Sequence, residues 1–222
     1  MVTLGEDGAR IWLNKPAGIP VFPPHADPSG DCVLRRLVAL DPGRIAHAWP
    51  AGFEGGLAHR LDTATSGLVV AARAPADLDA LREEFRSGAL RKLYLFRSSA
   101  DPAFEERLVD VPIAHHPRRA DRMVAQRPTG RTSHRGRWYA ARTRLRRLQG
   151  GWWEAEIRTG VTHQIRVHAA FAGVPLDGDP LYAPPADPPP RYCLHALRIV
   201  APLWRSPDAP LPPGLPPLPT VR

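Results

Sequence analysis

A guanidinium, a carboxylate and a cluster of hydroxyls stand close together in the stretch Ala58-His59-Arg60-Leu61-Asp62-Thr63-Ala64-Thr65-Ser66-Gly67, which leads into the apolar run at residues 68–72. A carboxylate held beside such a strand can attack as a nucleophile or stabilise positive charge on a reacting centre, so Asp62 is the first candidate for chemistry. Ser, Thr, Asp and Gly are also ordinary turn residues, and there a carboxylate often caps backbone amides; composition alone leaves both readings open. A second group of reactive types lies at Thr162-His163-Gln164-Ile165-Arg166-Val167-His168. On a helix His163 and Arg166 share a face, whereas His163 and His168 are about 140° apart. With no acidic or cysteine ligand to complete a pattern, His163, His168 and His195 do not make a metal site, nor do His59, His115 and His116. Walker and dinucleotide glycine fingerprints are absent.

His59-Arg60-Leu61-Asp62 with Thr65-Ser66-Gly67 resembles the signature of the RluA-type pseudouridine synthases, RNA enzymes that turn uridine into its C-glycoside isomer. Further segments agree in order: Leu13-Asn14-Lys15-Pro16-Ala17-Gly18-Ile19-Pro20-Val21 upstream, then Arg91-Lys92-Leu93-Tyr94 and Thr159-Gly160-Val161-Thr162-His163-Gln164-Ile165-Arg166-Val167-His168. Gly173-Val174-Pro175-Leu176-Asp177-Gly178-Asp179-Pro180-Leu181-Tyr182 and Leu194-His195-Ala196 follow. The resemblance covers roughly residues 11 to 202.

The resemblance implies a reaction in which the bond from N1 to the ribose breaks, the uracil turns, and C5 takes over the bond. Asp62 would then be the catalytic carboxylate, by an acylal at C1′, addition at C6 or a glycal route. Arg166 matches the family's arginine that pairs with the aspartate, and a guanidinium stays charged where burial would otherwise push a carboxylate toward its neutral form. Tyr94 matches the tyrosine that stacks on the target base, with positioning favoured over proton transfer because a phenol is a poor base; a buried strand tyrosine is the competing account. Ile165 matches the aliphatic residue lining the uracil pocket. Arg60 matches the residue proposed to fill the space left when the base is turned out of its stack, with a salt bridge as the rival reading. Substrate contacts are also expected from Lys15, Lys92 and His163, although Lys15 reads equally as a packed or solvated loop lysine.

Two positions depart from the family pattern. Val161 stands where arginine usually precedes Thr-His-Gln, which touches a backbone or RNA contact near Arg166, and Phe96 replaces a common alanine, which would narrow the pocket. The resemblance begins near residue 11, so no N-terminal RNA-binding domain of the S4 type fits.

The chain has 222 residues, enough for one large domain or two small ones. Lys and Arg outnumber Asp and Glu by 30 to 22, a net charge of +8 that favours a polyanionic partner. Arginines at 118, 119, 122, 127, 131, 135, 137, 142, 144, 146 and 147 crowd one segment, with Trp138 and Tyr139 among them. They form the expected phosphate-contacting rim, with a solvated arginine-rich face as the alternative. Cys32 and Cys193 have no metal or redox spacing, which fits a reducing compartment. No segment has the length of a membrane span and the N-terminus lacks a signal pattern, so a cytoplasmic protein is expected.

Several elements must position these residues. Residues 11–14 read as a strand ending in the Lys15-Pro16-Ala17-Gly18 turn, and residues 31–40 as a helix capped by Ser29 or Asp31. After a glycine-containing loop at 51–56, residues 68–72 read as a buried strand. A helix follows from Pro75 toward Gly88, then a strand at 90–98 carrying Tyr94. Residues 101–137 are broken by Pro, Gly and Arg and read as short strands and long loops. Strands at 138–146 and 152–158, joined by Gln149-Gly150-Gly151, should form a hairpin. Thr162 can cap a helix that Gly173 ends. Residues 183–190 form a stiff loop, 194–200 a last strand, and the Pro-dominated residues from 206 onward an extended or disordered tail.

These readings define an α+β fold of the pseudouridine synthase type: a central, mainly antiparallel mixed sheet, flanking helices and a cleft holding Asp62, Tyr94 and Arg166. The expected organisation is a lead-in at 1–10, a catalytic domain at 11–205 and a tail at 206–222. The resemblance implies no cofactor, since the isomerisation neither oxidises nor takes a group from a donor, and RNA, ribosomal or transfer, as the partner of a monomer. The rival is a non-catalytic basic RNA-binding or RNA-folding protein on the same fold.

Overall fold

The computed structural model describes residues 1–24, 26–183, 192–213 and 215–216. In chain order the strands are β1 (Val2–Glu6), β2 (Arg10–Lys15), β3 (Ser66–Ala72), β4 (Arg91–Arg97), β5 (Glu106–Asp110), β6 (Ile113–His115), β7 (Met123–Ala125), β8 (Arg135–Tyr139), β9 (Arg142–Arg147), β10 (Trp152–Ile157) and β11 (Leu194–Val200). The helices are α1 (Val33–Leu40), α2 (Pro75–Ser87) and α3 (Gln164–Phe171). The chain divides into two compact units, residues 1–90 with 195–216 and residues 91–194.

In the first unit β1 pairs antiparallel with β2, and β2 antiparallel with β3 from Arg10↔Ala72 to Lys15↔Gly67. The pairing of β3 with β11 is parallel, through His195↔Ser66 and Ala196↔Gly67. All of β3 is buried, as a continuous apolar run between two neighbours should be. Ile11, Leu13, Val33, Leu37, Val69 and Ala71 form the core beneath it. In the second unit β4, β10, β9 and β5 pair antiparallel in that order. Strands β7, β6 and β8 form a separate small antiparallel sheet. The fold is therefore α+β with mixed, mainly antiparallel pairing, as the sequence implied.

Several local expectations are corrected. Neither Ser29 nor Asp31 caps α1: the helix begins at Val33, so Cys32 holds the N-cap and its sulfur accepts from Arg35 N at 3.4 Å, while the Asp31 carboxylate pairs with Arg36. Thr162 does not cap α3; His163 stands at its N-cap in the left-handed region, φ 56°. The strand read at 138–146 is two strands in two sheets, since Tyr139 pairs with Ile113 while Thr143 and Leu145 alternate inward on β9. Strand β1 was not anticipated, its side chains being too exposed to write a pattern. The hairpin of β9 and β10 across Gln149–Gly151 forms as read. Helix α2 likewise starts at Pro75 and ends at Gly88 in the left-handed conformation. Of the Pro-rich stretch, Ser206 and Ala209 are buried and return their N–H groups to Ile199 O and Leu197 O along β11. The loop read at 183–190 lies outside the described residues from 184 on.

Candidate active site

In the first unit the chain approaches β3 pinned along its flank. Ala58 N donates to Val70 O at 2.9 Å and Val70 N to His59 Nε2 at 3.1 Å, while the His59 ring stacks on Phe85 with centroids 4.9 Å apart. Leu61 packs on the core below, Arg60 is exposed, and Asp62 is half-buried. Asp62 opens a turn closed by Thr65 N donating to the Asp62 carbonyl at 3.0 Å.

The turn is gripped from two sides. Lys15, 0% exposed, donates its ammonium to Thr63 O at 3.0 Å, Pro16 O at 3.1 Å and Ile19 O at 2.5 Å, and Gly18 N donates to the same Thr63 carbonyl at 2.8 Å. Burial pushes the Lys15 pKa down to about 8, a shift the neighbouring Asp62 carboxylate opposes. On the other side Ser66 Oγ bonds His195 Nδ1 at 2.9 Å, and His195 Nε2 donates to Ala209 O at 3.0 Å. A carbonyl only accepts, so the proton is on Nε2 and the neutral Nδ1 takes the serine hydroxyl. Gly67, φ 106°, admits this approach because a Cβ there would overlap the Ala196 carbonyl.

In the second unit Lys92, Tyr94 and Phe96 alternate onto one face of β4, and all three are buried. Tyr94 stands opposite Ala155 of β10, and burial pushes Lys92 down to about 8. Phe96, the departure from the family pattern, packs its ring on Trp153 with centroids 6.3 Å apart. Helix α3 carries the remaining candidates. Gln164 fastens its start: Nε2 donates to Arg142 O at 3.0 Å and Thr143 Oγ1 at 3.2 Å, and Oε1 accepts from Thr159 Oγ1 and Val161 N. Val161, the other departure, packs at the cluster of Ile113, Met123, Ala141 and Val167. Ile165 is buried, and His163 Nδ1 bonds Tyr182 Oη at 2.9 Å.

Arg166 is 4% exposed and binds Asp179 bidentately, Nε to Oδ2 at 2.7 Å and Nη2 to Oδ1 at 2.8 Å. Its guanidinium carbon lies 4.4 Å from the Tyr192 ring centroid and 5.1 Å from that of Tyr182. Burial pushes the Tyr182 phenol up to about 12.

The sequence candidates thus fall into three local groups: Lys15 with Asp62 and its neighbour Arg60, Lys92 with Tyr94 on β4, and His163, Ile165 and Arg166 at the start of α3. Arg60 pairs with no carboxylate among the described residues, so the salt-bridge reading of it is not realised there. Lys15 serves backbone carbonyls, which makes it a clamp on the Asp62 turn. Asp179, Gln164 and Tyr182 were given no role from sequence. The available signal was their place in the quoted segments, Asp179 and Tyr182 three apart after Gly178.

Ten of the eleven arginines in the arginine-rich segment separate into two classes, and the eleventh, Arg122, has its guanidinium carbon 5.4 Å from the Tyr182 ring centroid. Arg119, Arg142, Arg144, Arg146 and Arg147 pair with Asp121, Asp110, Glu106, Glu154 and Asp101 respectively. Arg118, Arg127, Arg131, Arg135 and Arg137, on and around the small sheet, are exposed and pair with no carboxylate among the described residues. Among those residues no group of three His, Cys, Asp or Glu side chains could hold a metal ion, and no helix is long and apolar enough to cross a membrane.

The family model described as RNA pseudouridylate synthase matches residues 10–171. An uncharacterized RNA pseudouridine synthase of Chloroflexus aurantiacus is 37% identical over 213 residues, 91% of this chain and 63% of that protein. One of Synechocystis is 34% identical over 206 residues, 88% of this chain and 59% of the relative. The chain thus spans under two thirds of the length of these relatives. The dual-specificity RNA pseudouridine synthase RluA of Escherichia coli is 33% identical over 212 residues, 92% of this chain and 89% of that protein. The solved human RNA pseudouridylate synthase domain containing 1 superposes with a TM-score of 0.74 at 21% identity, covering 96% of this chain and 84% of the human one, a likeness of fold.

Proposed function

The chain belongs to the RNA pseudouridylate synthase family, and we propose that it isomerises specific uridines of ribosomal or transfer RNA to pseudouridine. The observation that carries this reading is the Asp62 turn, held by Lys15 on one side and by His195 and β11 on the other while the carboxylate stays half-buried. A carboxylate at C1′ supports cleavage of the bond to N1, whether by attack or by charge stabilisation. The uracil then rejoins through C5, the C5 proton leaves and N1 regains one, so the net change is isomerisation and needs no cofactor. Arg166 supplies the cation for the catalytic carboxylate, Tyr94 stacks on the base, Ile165 lines its pocket and Arg60 fills the vacated stack. Lys92 and His163 contact the substrate in this reading, and Lys15 holds the turn.

Arg118, Arg127, Arg131, Arg135 and Arg137 contact RNA phosphates, with Trp138 available for stacking. Residues 11–205 serve as the catalytic domain, with 1–10 as lead-in and 206–222 as tail, in a cytoplasmic monomer. The test is tritium release from RNA labelled at uracil C5, drawn from cells lacking this gene, with wild-type and Asp62→Asn proteins. Release by the wild type alone is expected. Equal release by both removes Asp62 from the chemistry, and release by neither, with salt-dependent RNA binding retained, favours a non-catalytic RNA-binding protein on this fold.

A further inference from the structure

We infer that Asp179 is a positioning residue for the reaction, the carboxylate that fixes the place and plane of the Arg166 guanidinium; the inference rests on the function proposed above. A guanidinium is planar, so two bonds to one carboxylate set both its position and its rotation, which a single bond does not. Asp179 supplies both acceptors and is itself 0% exposed. It is anchored independently of the arginine, because Oδ1 also accepts from Leu181 N at 3.0 Å and Tyr182 N at 3.3 Å. The chain around it forms a turn in which Asp179 N donates to Leu176 O at 3.1 Å.

The tyrosine that follows completes the cradle. The Tyr182 ring lies beside Arg166, its hydroxyl accepts from Met123 N at 2.9 Å, and it reaches His163 Nδ1. One short loop therefore ties the start of α3 to strand β7 and holds the arginine between an anion and an aromatic face. A fully buried carboxylate that served packing alone would be costly to keep; here its ionic form has four N–H partners in fixed directions.

Asp179→Asn is nearly isosteric but turns a donor toward one of the arginine's own donors. We would measure kcat and KM for tritium release, RNA affinity, thermal unfolding, and water exchange of the Arg166 Nε–H by nitrogen-15 NMR. With Asn, kcat falls about 100-fold while KM and RNA affinity hold, since misplacement by about 1 Å carries that cost, and the Nε–H exchanges at least about tenfold faster. Asp179→Glu keeps the anion and shifts it, so its kcat lies between Asn and wild type; if the Asn variant does not fold, a Glu variant with wild-type kcat overturns the inference. A folded Asn variant with wild-type kcat, or with unchanged Nε–H exchange, also overturns it. A wild-type protein inactive on every RNA tried overturns the proposed function instead, and the exchange comparison still decides whether Asp179 holds Arg166.

Discussion

Lowering the pH from 7 to 5 should destabilise this protein through buried histidines before its carboxylates titrate. His168 is fully buried on α3; its Nε2 donates to Val111 O at 3.0 Å, leaving Nδ1 to take the Thr143 hydroxyl at 2.8 Å. That hydroxyl already accepts from Gln164 Nε2, so a proton on Nδ1 would turn the ring bond round and leave the hydroxyl's own proton without the acceptor it has now. Burial holds the pKa of His168 down to about 4 from 6.5. The unfolded chain takes up a proton near pH 6.5 that the folded chain refuses until about pH 4, so stability is lost as pH falls through 6.5. The slope is about 1.4 kcal/mol per unit, a loss of about 2 kcal/mol at pH 5 and about 3 kcal/mol at pH 4. His195, bonded in the same way and lowered by burial, adds a loss of the same sign. Against a typical total of about 5 to 15 kcal/mol this is a large fraction.

Urea unfolding followed by tryptophan fluorescence between pH 7 and 5 reads the loss directly, and ring carbon shifts of the two histidines read their protonation. Stability that stays flat from pH 6.5 to 5, or a His168 ring that titrates near 6.5 in the folded protein, would refute the reasoning.

Further outcomes follow from the same structure. Lys15→Met removes the donor of the Pro16 and Ile19 carbonyls while Thr63 O keeps Gly18 N, so denaturation should show a loss of about 2 to 4 kcal/mol together with slower tritium release; unchanged stability removes the clamp. Gly67→Ala places a methyl on the Ala196 carbonyl at φ 106° and should cost about 3 kcal/mol or more by the same assay; a loss under about 1 kcal/mol contradicts the close approach of β3 and β11. Changing Arg127, Arg131 and Arg135 together to Gln should flatten the salt dependence of RNA binding by about 2 to 3 log units per log unit of salt, whereas the same change at Arg142, Arg144 and Arg146 should affect it less. Equal effects would sink the division into arginines with and without a carboxylate partner among the described residues.

What the sequence wrote locally, it wrote legibly. Strand β3 is one apolar run, α2 carries Pro75 and Gly88 at its ends, and the Gln149–Gly151 turn joins two strands that pair with each other. Where an outcome depended on a distant partner it was not legible. Gly67 needs its freedom because of Ala196, and Ser66 bonds a histidine 129 residues away. Lys15 donates to the Thr63 carbonyl, 48 residues on, a partner that no local pattern reveals. Cys32 caps α1 because the helix begins at Val33, one residue later than a cap at Asp31 would set it. Asp179 stayed anonymous because a buried carboxylate in a loop looks, in sequence, like any turn residue.

The two charged residues at the heart of the proposed chemistry are supported in different ways, and the difference decides what each substitution can report. The turn at Asp62 is closed through its own carbonyl to Thr65 N and clamped through the Thr63 carbonyl by Lys15 and Gly18, and none of these bonds uses the Asp62 side chain. Arg166 is held through its side chain, by the two bonds to Asp179. Asp62→Asn therefore keeps those turn bonds, and thermal unfolding measured beside turnover separates lost chemistry from lost folding in that variant. Arg166→Ala leaves a buried Asp179 without its cation, at a cost of about 3 to 5 kcal/mol, so loss of turnover there mixes chemistry with folding. Removing both members of the buried pair spares the uncompensated charge: Arg166→Met combined with Asp179→Leu should unfold nearer to wild type than Arg166→Ala alone while remaining inactive. A double variant less stable than the single one would mean that Asp179 is held in its loop by Leu181 and Tyr182 far more than by the arginine.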